Sequence, residues 1–489
     1  MGRNGDSHQR NPSITGPSTE GFPTVQSPTR KNSYMRSLLT LLLLTVLCTS
    51  GRAQTSPAIT SWLQNNTETG TYYVEGNSNL IENNVLVNCQ QVEYSDDFVY
   101  VTATGIPAYP TGPFPDGNPS QAANQEGIYK IPLNPVQNSG TPDATVGGNI
   151  GIFINGVALF DYRDGVAWNP NTNALCGGPG NPRCPGDPMS TQAWNRDAIP
   201  AENDGFDCAK GHPAMGNYHH HQNPSAFKLD LEVTSTICNL YDAEGLYAID
   251  STEHAPLIGF AYDGFPIYGA YGFKNEDGSG GITRIKSSYT LRNITVRSES
   301  ADGTDVDDGP AINGTYFLGY FREDYEYIAP TSENQDFLDE HNGRFCVTPE
   351  YPNGTYAYFA TVKEDWTSAY PYAVGPTFAG VFERRNVNAV TEATTVYEGT
   401  TPVRGFADDA SITVFPNPAA DLIAVQLPGL VDNDFTVQLI DVSGKLVEQK
   451  SIRTGQTIAY FDTQTLYRGI YFIRILGGGS EVTRKVVVE

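Results

Sequence analysis

The densest group of side chains able to do chemistry is a run of histidines in the middle of the chain. The sequence has seven histidines, and four of them lie at His212 and His219–His221. Two more follow at His254 and His341, and the seventh, His8, lies in an N-terminal segment that we expect to be removed. Because histidine is the commonest metal ligand and titrates near neutral pH, this concentration indicates a functional site.

The spacing within the run predicts which histidines act together. If the segment is extended, His219 and His221 point to one face of the strand and His220 points to the other. Two histidines at i and i+2 can share one metal ion, and His212 reaches the pair if the chain turns back after it. Neutral imidazole suits zinc or copper, so the metal should leave as pH falls through the range where histidine protonates.

The complete candidate site adds one more histidine and nearby carboxylates. The predicted metal ligands are His212, His219, His221 and His254, with a carboxylate from Asp207 or Asp263. The acid–base candidates are Glu202, Asp207 and Asp263. Two alternatives remain open, namely a metal-free acid–base site and a histidine pair that is only structural. Asp263 also precedes a glycine, and Asp-Gly is a common turn pair.

Other kinds of chemistry have weaker signals. The loop Asp302–Asp308 has the composition of a calcium-binding loop but lacks the bidentate glutamate at the right offset. A weak Ca²⁺ site and a solvated acidic loop are therefore equally good interpretations. The sequence has no G-x-S-x-G motif in a strand–turn–helix context and no glycine-rich phosphate loop, so it does not favour nucleophilic catalysis or phosphate binding.

The elements that must position these groups are predicted to be β-strands. Apolar runs on both sides of Asn155-Gly156 and of Asn353-Gly354 give the strongest short-range signal for a β-hairpin. Amphipathic helices of three or more turns are hard to find. The stretch Gln192–Asp207 is rich in turn-forming residues throughout. It places several carboxylates just before the histidines in the sequence.

Several blocks of sequence surround the histidines. They are Gly211-His212-Pro213, Tyr218-His219-His220-His221, His254–Gly269 and Leu338–Arg344, preceded by Trp194, Asp197 and Glu202. Over roughly residues 85–382 these blocks resemble the YHYH-domain family, although His220 stands where the motif has its second tyrosine. Within the blocks we select candidate binding residues, which are Tyr218, Tyr262, Tyr268, Asn342 and Arg344. Arg344 has an alternative role in a structural ion pair.

The end of the chain has a different character. It carries a Pro-Asn-Pro-Ala box at 416–419, an Asp-x-x-Gly-Lys turn at 441–445, a Gly-x-Tyr-Phe strand at 469–472 and a Lys-Val-Val-Val ending at 485–488. Alternation and turn spacing predict a small immunoglobulin-like β-sandwich over 411–489. The motifs resemble the C-terminal sorting domain of the type IX secretion system. This resemblance implies a bacterium of the Bacteroidetes type, export by that machinery, and a tail that is usually removed.

The division of the chain follows from these features. We predict a mostly β protein in which a large, loop-rich domain at 54–385 precedes the small sandwich. The stretch 386–410 is rich in Thr, Val, Glu and Gly without a sustained period and is predicted to be a linker.

The first 53 residues have the layout of an export signal. Basic residues up to Arg36 precede an apolar run of ten residues at 38–47, too short to span a bilayer, and small residues follow at 51–53. We expect the true start at Met35. Without residues 1–53 the chain has 24 basic and 53 acidic residues, a net charge of −29 against −25 for the full sequence. So acidic a chain repels nucleic acid and anionic lipid, and we expect no membrane span in the mature protein.

Cysteine usage agrees with export. The mature chain has an even number of cysteines, which are Cys89, Cys176, Cys184, Cys208, Cys238 and Cys346. An even count in an exported protein predicts that all of them form disulfides. Cys176 and Cys184 flank a tight loop rich in glycine and proline, so we expect that pair to be bonded. A thiolate zinc site is disfavoured because no C-x-x-C spacing exists.

Three functions of different classes fit the sequence. The first is a secreted metalloenzyme, a hydrolase or oxidoreductase of unknown substrate, which needs a pocket and an open coordination position. The second is a surface protein that sequesters or handles metal without turnover, which needs a saturated site. The third is a glycan-binding or adhesion module, which needs an exposed aromatic platform away from the histidines.

The leader assignment predicts the N-terminus of the exported protein. Cleavage after Ala53 should leave Gln54 as the first residue, because the small residues at 51–53 occupy the cleavage positions. Mass spectrometry of the N-terminal peptide of the secreted protein measures this directly. A peptide that begins upstream of Met35 would contradict the assignment.

Overall fold

The fold is taken from a computed structural model of the chain. It describes residues 56–117, 120–178, 180–186, 191–227, 240, 243–382, 386–398, 412–427, 435–442, 444–453, 456–477 and 480–489. The predicted leader lies outside this set, as does most of the second half of the predicted linker. Within the described residues, no helix has both the length and the hydrophobicity needed to cross a membrane.

The regular elements of the described chain are almost all β-strands, joined by long loops and turns, which confirms the predicted fold class. Its α-helices are short: α1 is Pro57–Thr60 and α2 is Ala198–Glu202, with 3₁₀ turns at Asn203–Gly205 and Arg322–Asp324. The strands of the large domain are β1 Thr69–Val74, β2 Asn77–Leu86, β3 Cys89–Tyr94, β4 Phe98–Ala103, β5 Gly127–Pro132, β6 Asn149–Phe153, β7 Ala158–Phe160, β8 Arg163–Asn169, β9 Ala174–Cys176, β10 Asn195–Asp197, β11 Gly211–Ala214, β12 Asn217–His220, β13 Leu257–Ala261, β14 Pro266–Tyr268, β15 Tyr271–Phe273, β16 Ile282–Arg284, β17 Tyr289–Leu291, β18 Tyr325–Tyr327, β19 Gly343–Cys346, β20 Thr355–Phe359, β21 Asn386–Val387 and β22 Thr395–Val396. The strands of the tail are β23 Thr413–Phe415, β24 Leu422–Gln426, β25 Phe435–Asp441, β26 Leu446–Ile452, β27 Ile458–Asp462, β28 Gly469–Gly477 and β29 Ser480–Val488.

Two sheets enclose the core of the large domain. A five-stranded sheet has the order β21-β5-β4-β3-β22, and an eight-stranded mixed sheet has the order β11-β12-β7-β6-β13-β14-β20-β19. Val99 and Val101 from the first sheet belong to the same buried cluster as Phe153 and Phe260 from the second. Burying a side chain of this size stabilises the fold by about 1.5–3 kcal/mol. The hairpin β11–β12, which carries the histidines, forms one edge of the larger sheet.

The two predicted hairpins have different outcomes. The turn at Asn155-Gly156 joins the antiparallel strands β6 and β7, and Gly156 has φ +77°, as such a turn requires. At Asn353-Gly354 the second strand, β20, starts where predicted. Its antiparallel partner β19 ends at Cys346, because a turn over 348–354 separates the two strands.

The start of the predicted linker belongs to the large domain. Strand β21 pairs with β5, and strand β22 pairs with β3, so residues 386–398 extend both edges of the five-stranded sheet. The Thr and Val residues that gave this stretch no sustained period suit short edge strands. Residues 399–411 lie outside the described part of the chain.

The tail is a β-sandwich, as its alternation predicts. A three-stranded sheet, β23-β24-β27, packs on a four-stranded sheet, β26-β25-β28-β29. Inward-facing residues of both sheets form a separate core, which includes Ile423, Phe461, Leu439 and Ile473.

The sandwich packs against the large domain through a small apolar cluster. Phe273 of β15 is buried with Leu422, Ala424 and Tyr460 of the tail. The backbone N–H of Gly280 also donates a hydrogen bond to the Asp421 carboxylate at 2.9 Å. The three-stranded sheet of the tail therefore faces the large domain.

The cysteines correct one prediction and confirm another. Cys176 and Cys184 form the expected disulfide, with Cα atoms 4.8 Å apart, and Cys208 is also disulfide-bonded. Cys89 and Cys346 are free and buried, so the prediction that all six cysteines are oxidised is wrong. These two thiols pack as small apolar groups in the core, where free cysteine is common. Cys238 lies outside the described residues.

This arrangement predicts a specific alkylation pattern. In the native protein Cys89 and Cys346 should react slowly, because burial raises the pKa of both thiols and little thiolate forms. After denaturation without reductant both should alkylate fully, whereas Cys176, Cys184 and Cys208 should not. Peptide mapping by mass spectrometry reads this out. A disulfide-linked peptide that contains Cys89 or Cys346 would contradict the structure.

Candidate metal centre

The histidines are brought together by a tight β-hairpin. Met215 and Gly216 connect β11 to β12 with φ of +51° and +89°, which is the left-handed backbone of a two-residue type I′ turn. The turn fixes a register in which His212 lies directly opposite His219. Directly opposed residues of an antiparallel pair point to the same face of the sheet. The hairpin therefore delivers His212 to the face that carries His219.

A buried carboxylate holds the base of this hairpin. Asp207 accepts hydrogen bonds from the backbone N–H groups of Gly112, Ala209 and Gly211 at 2.9–3.1 Å, and from the Tyr218 hydroxyl at 2.8 and 3.0 Å. Burial raises the pKa of Asp207 to about 7, against the lowering effect of these hydrogen bonds. Its acceptor capacity is used within the fold, so Asp207 supports the hairpin and is not a ligand.

His219 and His221 meet ring to ring. Their Nε2 atoms are 3.1 Å apart. The Nδ1 atom of His219 lies 2.8 Å from the carbonyl oxygen of Asn217, and Nδ1 of His221 lies 2.7 Å from that of Asp161. A carbonyl can only accept, so each Nδ1 carries the proton of the neutral ring. Both Nε2 atoms therefore present lone pairs to each other.

Two further polar atoms border the same space. Nε2 of His212 and Oε2 of Glu202 are buried and have no hydrogen-bond partner among the described residues. Glu202 Oε2 lies 3.3 Å from Nε2 of His212 and 3.7 Å from Nε2 of His221. The ligand atoms of the three histidines all lie within 4.8 Å of one another. Three imidazole nitrogens and one carboxylate oxygen thus surround a common point.

Burial keeps the histidines neutral. Desolvation lowers the pKa of His212 to about 3 and that of His221 to about 4, and it lowers the pKa of His219 well below its usual value. Desolvation also raises the pKa of Glu202 to about 8, with the nearby Asp164 carboxylate adding to the effect. Both shifts disfavour an ion pair between His212 and Glu202. Neutral imidazole is the form that binds metal.

Aromatic rings enclose the cluster. Phe160, the last residue of β7, stacks on His219 with ring centroids 3.8 Å apart, and Phe206 meets His212 edge to face at 4.9 Å. Glu202, at the C-terminal end of α2, is the most exposed member, with 24% of its side chain accessible. The site is therefore apolar behind the histidines and opens to solvent on the side of Glu202.

His220 lies on the opposite side of the strand, as the alternation predicts. Its Nδ1 donates to the Lys210 carbonyl at 3.2 Å, and its Nε2 accepts from the Tyr109 hydroxyl at 2.8 Å. Both ring nitrogens are used, and the side chain is fully buried. His220 has no free lone pair for a metal.

The structure does not bring His254 to the cluster. Its Nδ1 donates to the Ala255 carbonyl at 2.7 Å, and its ring packs against Tyr268 and Phe273 with centroids 5.0–5.2 Å away. His254 therefore lies apart from the other three predicted histidine ligands. It precedes β13, whereas the cluster is at the β11–β12 edge of the same sheet, with β7 and β6 between them.

The remaining predicted carboxylate and binding residues hold the fold together. Asp263 accepts from the Tyr358 hydroxyl at 2.6 Å and from backbone N–H groups, which supports its interpretation as a turn residue. Arg344 donates to the backbone carbonyls of three residues and forms no ion pair within the described chain; the carbonyls belong to Lys274, Gln335 and Phe273. Asn342 has φ +65° and donates to two carbonyls.

The candidate tyrosines are buried. Tyr262 is 3% exposed, and Tyr218 is fully buried against Asp207. The Tyr268 hydroxyl donates to Glu350 at 2.7 Å. None of them presents a surface to a ligand in this structure.

The first carboxylate of the loop Asp302–Asp308 is used in hydrogen bonds within the loop itself. The Asp302 carboxylate accepts from the Ser300 hydroxyl and the Thr304 N–H, and these bonds lower its pKa to about 2. Within the described residues, the three histidines are the only group of three or more potential ligands close enough to hold one ion.

Sequence reasoning missed the groups that orient the histidines. They are the carbonyls of Asn217 and Asp161 and the rings of Phe160 and Phe206. Backbone acceptors leave no signal in a sequence, and a phenylalanine at the end of an apolar run looks like any core residue.

Comparisons with known proteins agree with the motifs. The chain matches the family described as YHYH protein over residues 128–371 and the secretion system C-terminal sorting domain over residues 413–489. No curated protein matches it.

Two solved structures show weak similarity. One is a DUF3244-family protein from Bacteroides vulgatus with an immunoglobulin-like β-sandwich fold; it is 22% identical, with 16% of this chain and 85% of that chain covered and a TM-score of 0.15. The other is PorZ, an essential bacterial surface component of the type IX secretion system of Porphyromonas gingivalis; it is 9% identical, with 81% and 51% covered and a TM-score of 0.17. This chain thus spans about half of PorZ. TM-scores this low support no argument.

The two family matches together identify the chain. The sorting domain marks a secreted or cell-surface protein, and the domain before it contains the histidine cluster. The chain is a YHYH protein that ends in a secretion system C-terminal sorting domain.

Proposed function

We propose that this protein binds one divalent transition metal ion, zinc or copper, through Nε2 of His212, His219 and His221. The observation that carries the proposal is the pair of Nε2 atoms of His219 and His221, 3.1 Å apart. Both rings have their proton on Nδ1, so two lone pairs face each other in a buried site. A shared cation removes that repulsion, and imidazole is a favoured ligand for zinc and copper.

The distances suit such an ion after a small contraction. Two nitrogens bound to one tetrahedral zinc at 2.0–2.1 Å are about 3.3 Å apart. The Nε2 atoms of His219 and His221 are already close to this separation. The ligand atom of His212 lies within 4.8 Å of them and must move closer to bind the same ion. Hydrogen bonds from Nδ1 to carbonyls are the usual way in which proteins fix the tautomer of a metal-bound histidine.

Glu202 supports a closed site over an open catalytic one. Its Oε2 atom is close to two of the histidine nitrogens and has no other partner in the described part of the chain, so it could become the fourth ligand. A catalytic zinc site keeps its fourth position for water or substrate. We infer that the protein retains or sequesters metal at or outside the cell surface. Catalytic turnover at this site would require the Glu202 carboxylate to dissociate from the ion.

Within the described ranges, the exposed aromatic residues do not form a platform for glycan binding. Among the described residues of the large domain, the exposed large aromatic side chains are Phe317 and Phe345. They lie on different segments, a loop and strand β19, and they do not pair with each other. The histidine cluster therefore carries the functional proposal.

The proposal predicts which variants lose metal. Changing His212, His219 or His221 to Gln should lower the affinity for Zn²⁺ by about 100-fold, because each change removes one ligand. Glu202→Gln should cost about tenfold, since an amide oxygen is a weaker, uncharged ligand. Calorimetric titration of EDTA-treated protein with Zn²⁺, and separately with Cu²⁺, measures these affinities.

His220→Gln is the matched control. His220 lies in the same strand and is equally buried, but both its nitrogens are used elsewhere. It should keep wild-type affinity. Equal losses in the 219 and 220 variants would show that the segment does not present one face to the metal. Unchanged affinity in all four variants of the cluster would refute the proposed metal site and favour an acid–base or structural role.

Burial of the histidines also predicts a pH dependence of stability. In the metal-free protein the folded-state pKa values of the cluster are lowered, whereas the unfolded chain takes up protons below about pH 6.5. The stability that neutral imidazoles contribute is therefore present above about pH 6.5 and is lost as pH falls towards 4. Urea unfolding at pH 7, 5.5 and 4.5 should show a falling midpoint.

The triple variant H212Q/H219Q/H221Q isolates this effect from other titrating groups. It should lose less stability between pH 7 and 4.5 than the wild type, because its three side chains do not titrate. The same loss in both proteins would mean that the histidines are not buried in the neutral form.

A further inference from the structure

The exposed apolar side chains of the tail are concentrated at one end of its four-stranded sheet. Within the described residues of the sandwich, the exposed large hydrophobic residues are Val442, Leu446, Val447, Tyr467 and Ile470. Tyr467 is 89% exposed and Val442 is 72% exposed. All five flank the turns where β25 ends, β26 begins and β28 begins. We call this set the apical patch.

The patch continues onto the outer face of the sheet. Ile440 of β25 pairs with Leu446 on one side and with Phe472 on the other, and Ile470 pairs with Val487. Alternate residues of β25 and β28 are buried in the sandwich core, so Ile440 and Phe472 face outward. An apolar stripe therefore crosses all four strands, about 14 Å at the usual strand spacing.

All four motifs of the sorting domain meet at this end. Asn417 of the Pro-Asn-Pro-Ala box donates to the Lys485 carbonyl and accepts from the Val487 N–H, which joins the box to the last strand. The Lys445 N–H donates to Asp441, which closes the Asp-x-x-Gly-Lys turn. The strand that starts at Gly469 pairs there with the final residues of β29. The residues of the four sorting-domain motifs thus form the backbone structure that supports the apical patch.

The opposite sheet is already occupied. Leu422, Ala424 and Tyr460 of the three-stranded sheet pack on Phe273 of the large domain. A partner that binds the folded, full-length chain through its tail therefore meets the four-stranded sheet and its apical end.

Charge distinguishes the tail from the rest of the molecule. Residues 412–489 carry seven basic and eight acidic residues, whereas residues 54–411 carry 17 basic and 45 acidic residues. Lys445, Arg468 and Lys485 are exposed around the patch, where the exposed acidic residue is Glu489. A partner surface with acidic groups is repelled by the large domain and attracted to this rim, so the charges orient the encounter.

We propose that the apical patch is the surface through which a protein component of the secretion machinery recognises this chain. The partner's site is an apolar groove with an acidic rim, into which Tyr467 and Ile470 insert. Large apolar residues clustered on an otherwise polar surface are typical of protein interaction sites, and a few central side chains carry most of the binding energy.

The test uses the full-length chain expressed in its native host. The double variant Tyr467→Ser/Ile470→Ser should reduce the exported fraction about tenfold or more, with accumulation in the periplasm, since one interface anchor is worth at least this factor in association. The matched control, Leu291→Ser/Val296→Ser, changes two exposed apolar residues of the large domain and should be exported normally. Normal export of the Tyr467/Ile470 variant would overturn the proposal.

A second measurement does not depend on how well the variant folds. A photo-crosslinking amino acid placed at Tyr467, which is almost fully exposed, should capture a protein of the secretion machinery before export, and one placed at Val296 should not. Capture of lipid instead of protein, or equal capture at both positions, would overturn the proposal. Replacing Lys445 and Arg468 with Glu should also lower capture at Tyr467, and unchanged capture would refute the acidic rim.

Discussion

The candidate centre depends on the register of one β-hairpin. A two-residue turn at Met215-Gly216 sets His212 opposite His219, and the Asp207 carboxylate holds the other end of the hairpin through the N–H of Gly211 and the Tyr218 hydroxyl. Side chains alternate with a period of two along a strand, so a slip of one residue would exchange the faces. His220, whose nitrogens are both used, would then take the place of His219. The turn and the carboxylate therefore decide which imidazoles meet.

The polar atoms of the cluster explain why a cation suits it. Nε2 of His212 and Oε2 of Glu202 are buried without hydrogen bonds, and the His219 and His221 nitrogens face each other without a proton between them. Each unsatisfied buried polar group costs about 1–3 kcal/mol. Burial also suppresses protonation of the rings, so protons compete weakly for the lone pairs. A divalent ion would satisfy all four groups at once and would hold Glu202 as a carboxylate.

The sequence predicted the part of this site that follows from strand geometry. Alternation separated His219 and His221 from His220, and the need for a turn after His212 followed from its distance along the chain. The β-rich fold, the Cys176–Cys184 disulfide and the C-terminal sandwich were also predictable, because they follow from local patterns. His254 was misplaced because its position depends on the order of strands in the eight-stranded sheet, which local pattern does not determine. The free Cys89 and Cys346 were missed because an even cysteine count does not show which cysteines are buried separately in the core.

X-ray absorption spectroscopy of the purified, metal-loaded protein tests the central claim most directly. The account predicts a first shell of nitrogen and oxygen only, with metal–nitrogen distances of about 2.0–2.1 Å and the outer-shell scattering of about three imidazole rings. A shell that contains sulfur, or one built from water oxygens without imidazole scattering, would contradict the account.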